Sequence, residues 1–314
     1  MLLLSDISCS SPAAFYEADP EQFSSQPNFD ASHASNCRPK LWSHLFHRVI
    51  ASICRSTRNR NNRTCSFTLL KMAQVVNALW FYVLNSTSTF NIELLGTLSI
   101  QLVAFWLPSM LLLSLDKYFP SFSLKHKIQS RPPPTSAQIR HCILVVTLNQ
   151  MLMATAKISE LVILRLLARH SFYRFDPAVP SVTEITRDIV LCILGCEIIF
   201  YYSHRLLHVR AFYQSIHNQH HQFKAPIAFA AQYAHPLEYL LSTILPFWLP
   251  PQILSCHIIT CFLFWTVATV ETVIAHSGYD FFTVLSKKHD LHHEKSRVNF
   301  GTLGFLDWLH GTGA

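Results

Sequence analysis

This chain of 314 residues has few charged side chains. They make up 14% of the sequence, against roughly 25% in soluble domains. Hydrophobic residues account for 50%, and phenylalanine alone occurs 23 times. This composition is typical of an integral membrane protein. Much of the net charge of +7 lies in two basic runs, residues 38–63 and 117–140, which flank apolar segments. That arrangement indicates cytosolic membrane flanks rather than a nucleic-acid interface.

Several common functional motifs are also missing. The nine cysteines form no Cys-x-x-Cys pair, so neither a zinc ribbon nor a disulfide framework is expected. No glycine-rich dinucleotide or phosphate loop is present, so neither nicotinamide nor ATP is expected to bind. The signatures of zinc proteases and zinc deaminases and the Glu-x-x-His pairs of carboxylate di-iron bundles are absent too. Electrons for any redox reaction would therefore come from a separate protein.

The chain divides by composition into three parts. Residues 1–70 are rich in Ser, Asn, Arg and Cys without apolar periodicity, which predicts a disordered basic tail. Residues 71–184 are expected to form the N-terminal membrane helices. Residues 185–314 carry most of the histidines and are expected to form the catalytic domain.

Four regions are long and apolar enough to meet lipid. Together they predict an all-α integral membrane protein with about four transmembrane or hairpin helices. The last region is 37 residues long and is expected to fold into a hairpin that turns at Pro250-Pro251. A further apolar stretch, 73–84, is short for a membrane span. The four regions are 94–115, 143–167, 185–202 and 239–275.

Histidines are unusually concentrated after the third of these regions. The motif His-x-x-His-His occurs twice, at 217–221 and 289–293, and His204 precedes His208 by four residues. Spacings of three and four residues place side chains on one face of a helix, and imidazole is a general ligand for transition metals. So many polar groups beside membrane spans are costly unless they have partners. These eight histidines therefore predict a metal centre.

Two more histidines lie at the ends of the predicted hairpin, His235 before it and His276 after it. Ten imidazoles are enough for two six-coordinate metal ions with open positions. The hairpin returns the chain to its starting side, and basic residues flank each cluster, so all the clusters are expected to face the cytosol. The ten predicted ligands are His204, His208, His217, His220, His221, His235, His276, His289, His292 and His293.

The order of these motifs is His-x3-His, His-x2-His-His, His-Pro, His-Ser-Gly and His-x2-His-His. It resembles the fatty acid hydroxylase (sterol desaturase) superfamily over roughly 90–314, most closely in segments 200–208, 233–238 and 306–312. The resemblance implies an endoplasmic-reticulum membrane enzyme with a histidine-bound di-iron centre. Such an enzyme would use O2 to oxidise an unactivated C–H bond of a sterol or acyl chain, with electrons from cytochrome b5 or its reductase.

Three acidic residues are candidates for holding ligand imidazoles in place. Glu197 lies two helical turns before His204, Glu238 lies three residues after His235, and Asp290 lies inside the last motif. The sequence leaves Glu271, within the hairpin, without an assigned role.

The favoured function is a sterol oxygenase that acts on C4-methylsterols. Fatty-acyl or sphingolipid hydroxylation or desaturation is the alternative, since the same oxidant removes one or two hydrogens. A non-catalytic, metal-containing regulator of lipid metabolism is a second alternative from another class.

Overall fold

The computed structural model describes residues 63–314, except 131 and 225. The chain forms two units, Met1–Met72 and Ala73–Ala314. The first is described only from residue 63, as the beginning of a helix, so the predicted tail lies almost wholly outside the described residues. Regular secondary structure in the described range is helical, apart from two isolated bridges between loops. The predicted all-α class is confirmed.

From residue 63 onward the structure describes ten α-helical elements, with short 3-10 segments between some of them. The 3-10 segments are His217–Gln222, Ala228–Gln232 and Asp280–Phe282. The helices are α1 (Arg63–Ser86), α2 (Thr89–Tyr118), α3 (Pro120–His126), α4 (Ser136–Leu166), α5 (Val182–Leu207), α6 (Arg210–Ser215), α7 (236–253), α8 (Ile258–Ala275), α9 (Thr283–Lys295) and α10 (Phe305–His310).

Three of the described helices are long and apolar enough to cross a membrane: α2, α4 and α8. They contain the first and second predicted spans and the second arm of the predicted hairpin. The third predicted span lies in α5, which also carries Arg187, Asp188 and Glu197. Both Asp188 and Glu197 are buried and so face the protein interior, whereas Arg187 is exposed.

Two of the helices contain a π-helical segment followed closely by a proline. In α2 the segment Gln101–Trp106 precedes Pro108, and in α7 the segment Leu240–Ile244 precedes Pro246. A proline cannot donate a backbone hydrogen bond, and a π segment shifts the bonding pattern by one residue. The extra residue thus lets each helix continue through its proline.

The predicted hairpin is present, but its turn is not at Pro250-Pro251. Both prolines lie inside α7, and the chain reverses at 254–257. Pro251 leaves the carbonyl of Phe247 without its usual helical donor. The indole of Trp265 in α8 donates to that carbonyl over 2.8 Å. Because the neighbouring helix satisfies the freed carbonyl, the prolines do not break α7.

One charged residue of α4, Lys157, is buried inside the protein and pairs with two carboxylates. Lys157 is fully buried and its Nζ lies 3.0 Å from Glu93 of α2 and 2.6 Å from Glu160. A Glu93 oxygen also accepts a hydrogen bond from Ser171. This network joins the start of α2 to the end of α4. The histidines lie elsewhere, at the carboxyl ends of α5 and α8 and on the segments that follow them.

Candidate metal centre

One group of five imidazoles forms where α5 ends. His204 and His208 come from the last turns of that helix, one side chain four residues after the other. The first His-x-x-His-His motif lies on the 3-10 segment His217–Gln222, and the second lies on α9. In this group the candidate ligand nitrogens all lie within 4.8 Å of one another, and its members are His204, His208, His217, His221 and His292.

A second group of four imidazoles lies beside the first. His276 directly follows the last residue of α8 and caps that helix. The helix therefore carries His276 to the histidines that lie far from it in the sequence. Ring centroids of His221 in the first group and His293 in the second are 4.5 Å apart. The two groups therefore adjoin, and the members of the second are His220, His276, His289 and His293.

Each His-x-x-His-His motif supplies both groups. The first motif gives two imidazoles to the five-membered group and His220 to the other. The second motif gives His292 to the five-membered group and two imidazoles to the other. Neighbours in sequence thus point into different groups. This division is the arrangement expected of two adjacent metal sites held by one shared set of elements.

The hydrogen bonds of the outer ring nitrogens fix which nitrogen faces inward. Nδ1 of His204, His220, His276 and His292 lies 2.8–3.2 Å from the backbone carbonyls of Phe300, Tyr233, Thr272 and Val298, respectively. A carbonyl only accepts, so Nδ1 carries the proton in each case. In a neutral imidazole the other nitrogen, Nε2, then presents its lone pair to the centre.

Burial keeps these imidazoles neutral. It lowers the pKa of His220 and His292 to about 4 and that of His217 and His276 to about 3. Burial and neighbouring imidazoles also lower the pKa of His221. At neutral pH the group therefore consists of uncharged bases, which is the form that binds a metal ion.

The Nε2 atoms that face the centre lie close to one another, and as unprotonated nitrogens they cannot hydrogen-bond to each other. Nε2 atoms of His208 and His217 are 2.9 Å apart, and those of His276 and His289 are 2.8 Å apart. Lone pairs that face each other at this distance repel unless a cation lies between them. The donor set therefore fits a metal ion in each group, and imidazole donors suit iron, copper and zinc.

The structure places nine of the ten predicted ligands in these groups and His235 outside them. Nδ1 of His235 accepts a hydrogen bond from the Leu237 amide over 3.2 Å and caps the start of α7. The proline that follows, Pro236, occupies the first turn of that helix, where a missing donor costs nothing. The His-Pro sequence here serves to begin a helix.

Glu238 contacts an imidazole, but not the predicted one. Its Oε1 lies 2.7 Å from Nδ1 of His217, and both side chains are buried. The sequence suggested His235 as its partner because of a three-residue spacing. His235 has extended backbone angles at the helix cap, so helical spacing does not apply to that pair.

Glu197 lies near the centre but contacts the loop that surrounds it. Its carboxylate accepts hydrogen bonds from the backbone amides of Thr302, Leu303 and Gly304 at 2.8–3.2 Å. A Cβ at Gly301 would come within 2.5 Å of that carboxylate, so a side chain there would displace it. Glu197 thus positions the loop that carries the Phe300 carbonyl, rather than an imidazole directly. Glu197 therefore affects His204 indirectly, through the Phe300 carbonyl that contacts the His204 ring.

Asp290 and Asp307 also accept hydrogen bonds beside the imidazole groups. Asp290 accepts a hydrogen bond from Gln129 over 2.8 Å, a contact that spacing within the motif did not suggest. Asp307 accepts from the amides of Phe300 and Gly301 at 2.8 and 2.9 Å. Sequence reasoning assigned Asp307 no role, although it lies in segment 306–312 of the resemblance.

A cavity of about 240 Å³ extends from the imidazoles between three helices. His204 and His217 of the first group and His220, His276 and His289 of the second reach it. Its far walls are apolar and come from α5, α7 and α8, with Ile189, Ile193, Phe200, Phe247, Phe264 and Val267 among the lining residues. An apolar cavity that ends at a metal site can hold an apolar molecule with one carbon near the metal.

The fold and the site define an all-helical membrane protein with two adjoining groups of buried imidazoles. Residues 189–312 match the fatty acid hydroxylase family, so this part of the chain is a fatty acid hydroxylase domain. Fatty acid hydroxylase domain-containing protein 2 of Homo sapiens is 33% identical over 227 residues, which cover 69% of this chain and 66% of the relative. The chain thus spans just under two thirds of that relative's length.

Other relatives carry different activities in their names. Methylsterol monooxygenase 2-2 of Arabidopsis thaliana is 27% identical over 77% of this chain and 93% of its own length. Very-long-chain aldehyde decarbonylase GL1-11 of Oryza sativa subsp. japonica is 28% identical over 76% and 92%. No solved structure matches the chain significantly. The comparisons confirm the family resemblance and leave the substrate open.

Proposed function

We propose that this protein is a membrane-bound di-iron oxygenase that oxidises an unactivated C–H bond of a sterol of the C4-methyl type. The observation that carries the proposal is the pair of imidazole groups at the inner end of an apolar cavity. The relatives named as methylsterol monooxygenases support both the reaction and the substrate class.

Iron is the metal that we infer. Zinc and copper also bind imidazole, but zinc has no redox chemistry. His204, His208, His217, His221 and His292 would hold one iron, and His220, His276, His289 and His293 the other. The two irons together would supply the binding and reductive activation of O2. In the overall reaction one oxygen atom enters the C–H bond, and two electrons and two protons convert the other to water.

The protein's own residues position the lipid and keep the ligands in register. The apolar walls of the cavity hold the lipid and exclude water, so that one carbon stays near the imidazole groups. Glu238 holds the proton on Nδ1 of His217 and so keeps Nε2 free for a metal. Glu197 and Asp307 fix the loop around Phe300, whose carbonyl does the same for His204.

We infer that electrons arrive from cytochrome b5 or its reductase, because the sequence has no motif for a nicotinamide. We also propose that the protein resides in the endoplasmic-reticulum membrane with the imidazoles on the cytosolic side. Arg205, Arg210, Lys224 and Lys287 flank the histidine segments, which supports that orientation.

Acyl-chain hydroxylation is the second candidate. The apolar cavity walls suit an acyl chain as well as a sterol, and fatty acid hydroxylase ahd1 of Mycosarcoma maydis is 32% identical over 79% of this chain. Desaturation belongs to the same alternative.

Reconstitution of the iron-loaded chain separates these functions. Purified protein in nanodiscs would receive cytochrome b5, its reductase, NADH and O2, together with either a 4-methylsterol or a long-chain acyl lipid. We expect an oxidised sterol by mass spectrometry, and none with His292→Ala. Turnover of the acyl lipid alone would favour the second candidate. Loss of neither lipid, with both irons bound, would indicate a non-catalytic regulator.

A further inference from the structure

The charged residues that line the cavity differ in whether they have a partner. Glu238 is held against His217. Lys288 lies 3.4 Å from the Gly301 carbonyl and 3.5 Å from Asp307. Glu271 also lines the cavity, yet within the described part of the chain it has neither a hydrogen bond nor an ion pair with a protein group. Its carboxyl is therefore available to a bound molecule.

The position of Glu271 on α8 relates it to the metal centre. The residues of α8 that line the cavity recur every three to four positions and form one stripe: Phe264, Val267, Ala268, Glu271, Thr272 and Ala275. The stripe ends at His276, which belongs to the four-imidazole group. Glu271 is five residues earlier, or about 7.5 Å along the helix axis. The carboxyl thus lies beside the path between the apolar walls and the imidazoles.

We propose that Glu271 accepts a hydrogen bond from a hydroxyl group of the lipid substrate and so sets which carbon faces the metal centre. The inference rests on the proposed function, because it requires a lipid in this cavity. A carboxyl accepts from a hydroxyl whether or not it is ionised. Because the walls farther from the imidazoles are apolar, one such contact fixes both the depth and the orientation of a long molecule.

The physical cost of an unpaired group is the reason to expect selectivity. An ionisable group inside a membrane helix is expensive to maintain without a partner. A lipid with a hydroxyl at this depth supplies one, whereas a hydrocarbon leaves the carboxyl unpaired. Sites built to hydrogen-bond a substrate hydroxyl therefore discriminate strongly against the analogue that lacks it. The substrate class that follows is a monohydroxylated lipid, such as a 3-hydroxysterol.

Equilibrium binding tests this directly and needs no turnover. The metal-loaded chain in nanodiscs would be titrated with tritiated 4α-methylcholestan-3β-ol and with 4α-methylcholestane, which lacks the hydroxyl. The same comparison would use 1-hexadecanol and hexadecane. Variants would be Glu271→Leu, which removes the acceptor, and Glu271→Gln, which keeps an amide oxygen. Thr272→Val is the matched control, because its hydroxyl already donates to the Ala268 carbonyl.

We expect the parent chain to prefer the hydroxysterol by about tenfold, the equivalent of one good hydrogen bond. Glu271→Leu should remove that preference, while Glu271→Gln and Thr272→Val should keep most of it. An unchanged preference in Glu271→Leu, or no preference in the parent chain for either pair, overturns the inference. A preference confined to the hexadecanol pair supports the role of Glu271 and overturns the methylsterol proposal. Binding of none of the four compounds overturns both.

Discussion

Nδ1 of His217 lies 2.7 Å from a carboxylate oxygen of Glu238, and both side chains are buried. A carboxylate strengthens the imidazole as a donor to a metal, because it stabilises the positive charge that the ring gains on binding. Within the five-membered group, the outer nitrogen of His217 contacts a carboxylate, whereas those of His204 and His292 contact backbone carbonyls.

Replacing Glu238 with glutamine should weaken metal binding while preserving the fold. The amide oxygen still accepts the Nδ1 proton, but the negative charge is gone. We expect a loss of about tenfold or more in the affinity for iron, measured by competition with a chelator. Glu184→Gln, far from the imidazoles at the start of α5, serves as the control. Equal affinities in both variants would show that the charge does not contribute.

Removing a ligand from one imidazole group should cost the chain the metal of that group. His292→Ala removes a nitrogen from the five-membered group and His220→Ala one from the four-membered group. At saturating iron we expect each variant to hold about one iron per chain where the parent holds about two, and neither to turn over lipid. His235→Ala should keep both irons, since that side chain caps a helix. Loss of iron in His235→Ala would return this histidine to the ligand set.

Acid should destabilise the metal-free protein. The folded pKa of His217 and His276 is lowered to about 3, whereas unfolded histidine titrates near 6.5. Below about pH 6.5 the unfolded chain binds protons at these histidines that the folded chain does not bind. The free energy of unfolding therefore decreases as the pH is lowered.

At pH 5 these two imidazoles alone would account for about 4 kcal/mol, or roughly 10 °C in Tm. Thermal unfolding of the apo protein in detergent at pH 7.5 and pH 5 measures the effect. A constant Tm over that range would contradict the assigned burial.

The buried network around Lys157 should be essential to the packing of α2 against α4. Lys157→Met leaves the buried Glu93 carboxylate without its cation, and breaking such a pair costs about 3–5 kcal/mol. Adding Glu93→Gln to the same chain should recover part of that loss, because the less buried Glu160 is then the one carboxylate of the two left without the lysine. Thermal unfolding of the single and double variants in nanodiscs compares them. A single variant as stable as the parent would contradict the network's role.

Both histidine motifs should be reached from the same side of the membrane. Gln222 and Arg297 are exposed and follow the first and second motif, while exposed Ala178 lies in the loop before α5. Single cysteines at Gln222 and Arg297 should react with an impermeant thiol reagent from the cytosolic face of sealed vesicles, and a cysteine at Ala178 from the other face only. Labelling of the parent chain is subtracted. Opposite faces for Gln222 and Arg297 would rule out the single centre.

The sequence predicted the fold class and nine of the imidazoles that the structure brings together in the two groups. Histidine spacing was informative because side chains three or four residues apart lie on one face of a helix, as His204 and His208 do at the end of α5. His276 could be inferred because a hairpin brings its end back to its beginning. These inferences rest on local periodicity and on membrane thickness.

The remaining features depend on contacts between distant segments. Pro250 and Pro251 looked like the turn, yet the indole of Trp265 allows the helix to continue. Glu238 was paired with His235 because both were expected to lie in one helix. The helix begins at Pro236, one residue after His235, and Glu238 contacts His217 instead. The carbonyls that orient the imidazoles belong to an irregular loop, and backbone oxygens leave no mark in a sequence.

The division of adjacent histidines between the two groups ties the loading of one metal to that of the other. A cation in the five-membered group fixes His221 and His292. Because His220 and His293 are their direct neighbours in the chain, the backbone of these two residues is then held close to its position in the loaded site. Part of the entropy lost on ordering the second group is thereby lost already with the first ion. Metal uptake should consequently be cooperative, with apo and fully loaded chains coexisting at half saturation and few molecules carrying a single ion.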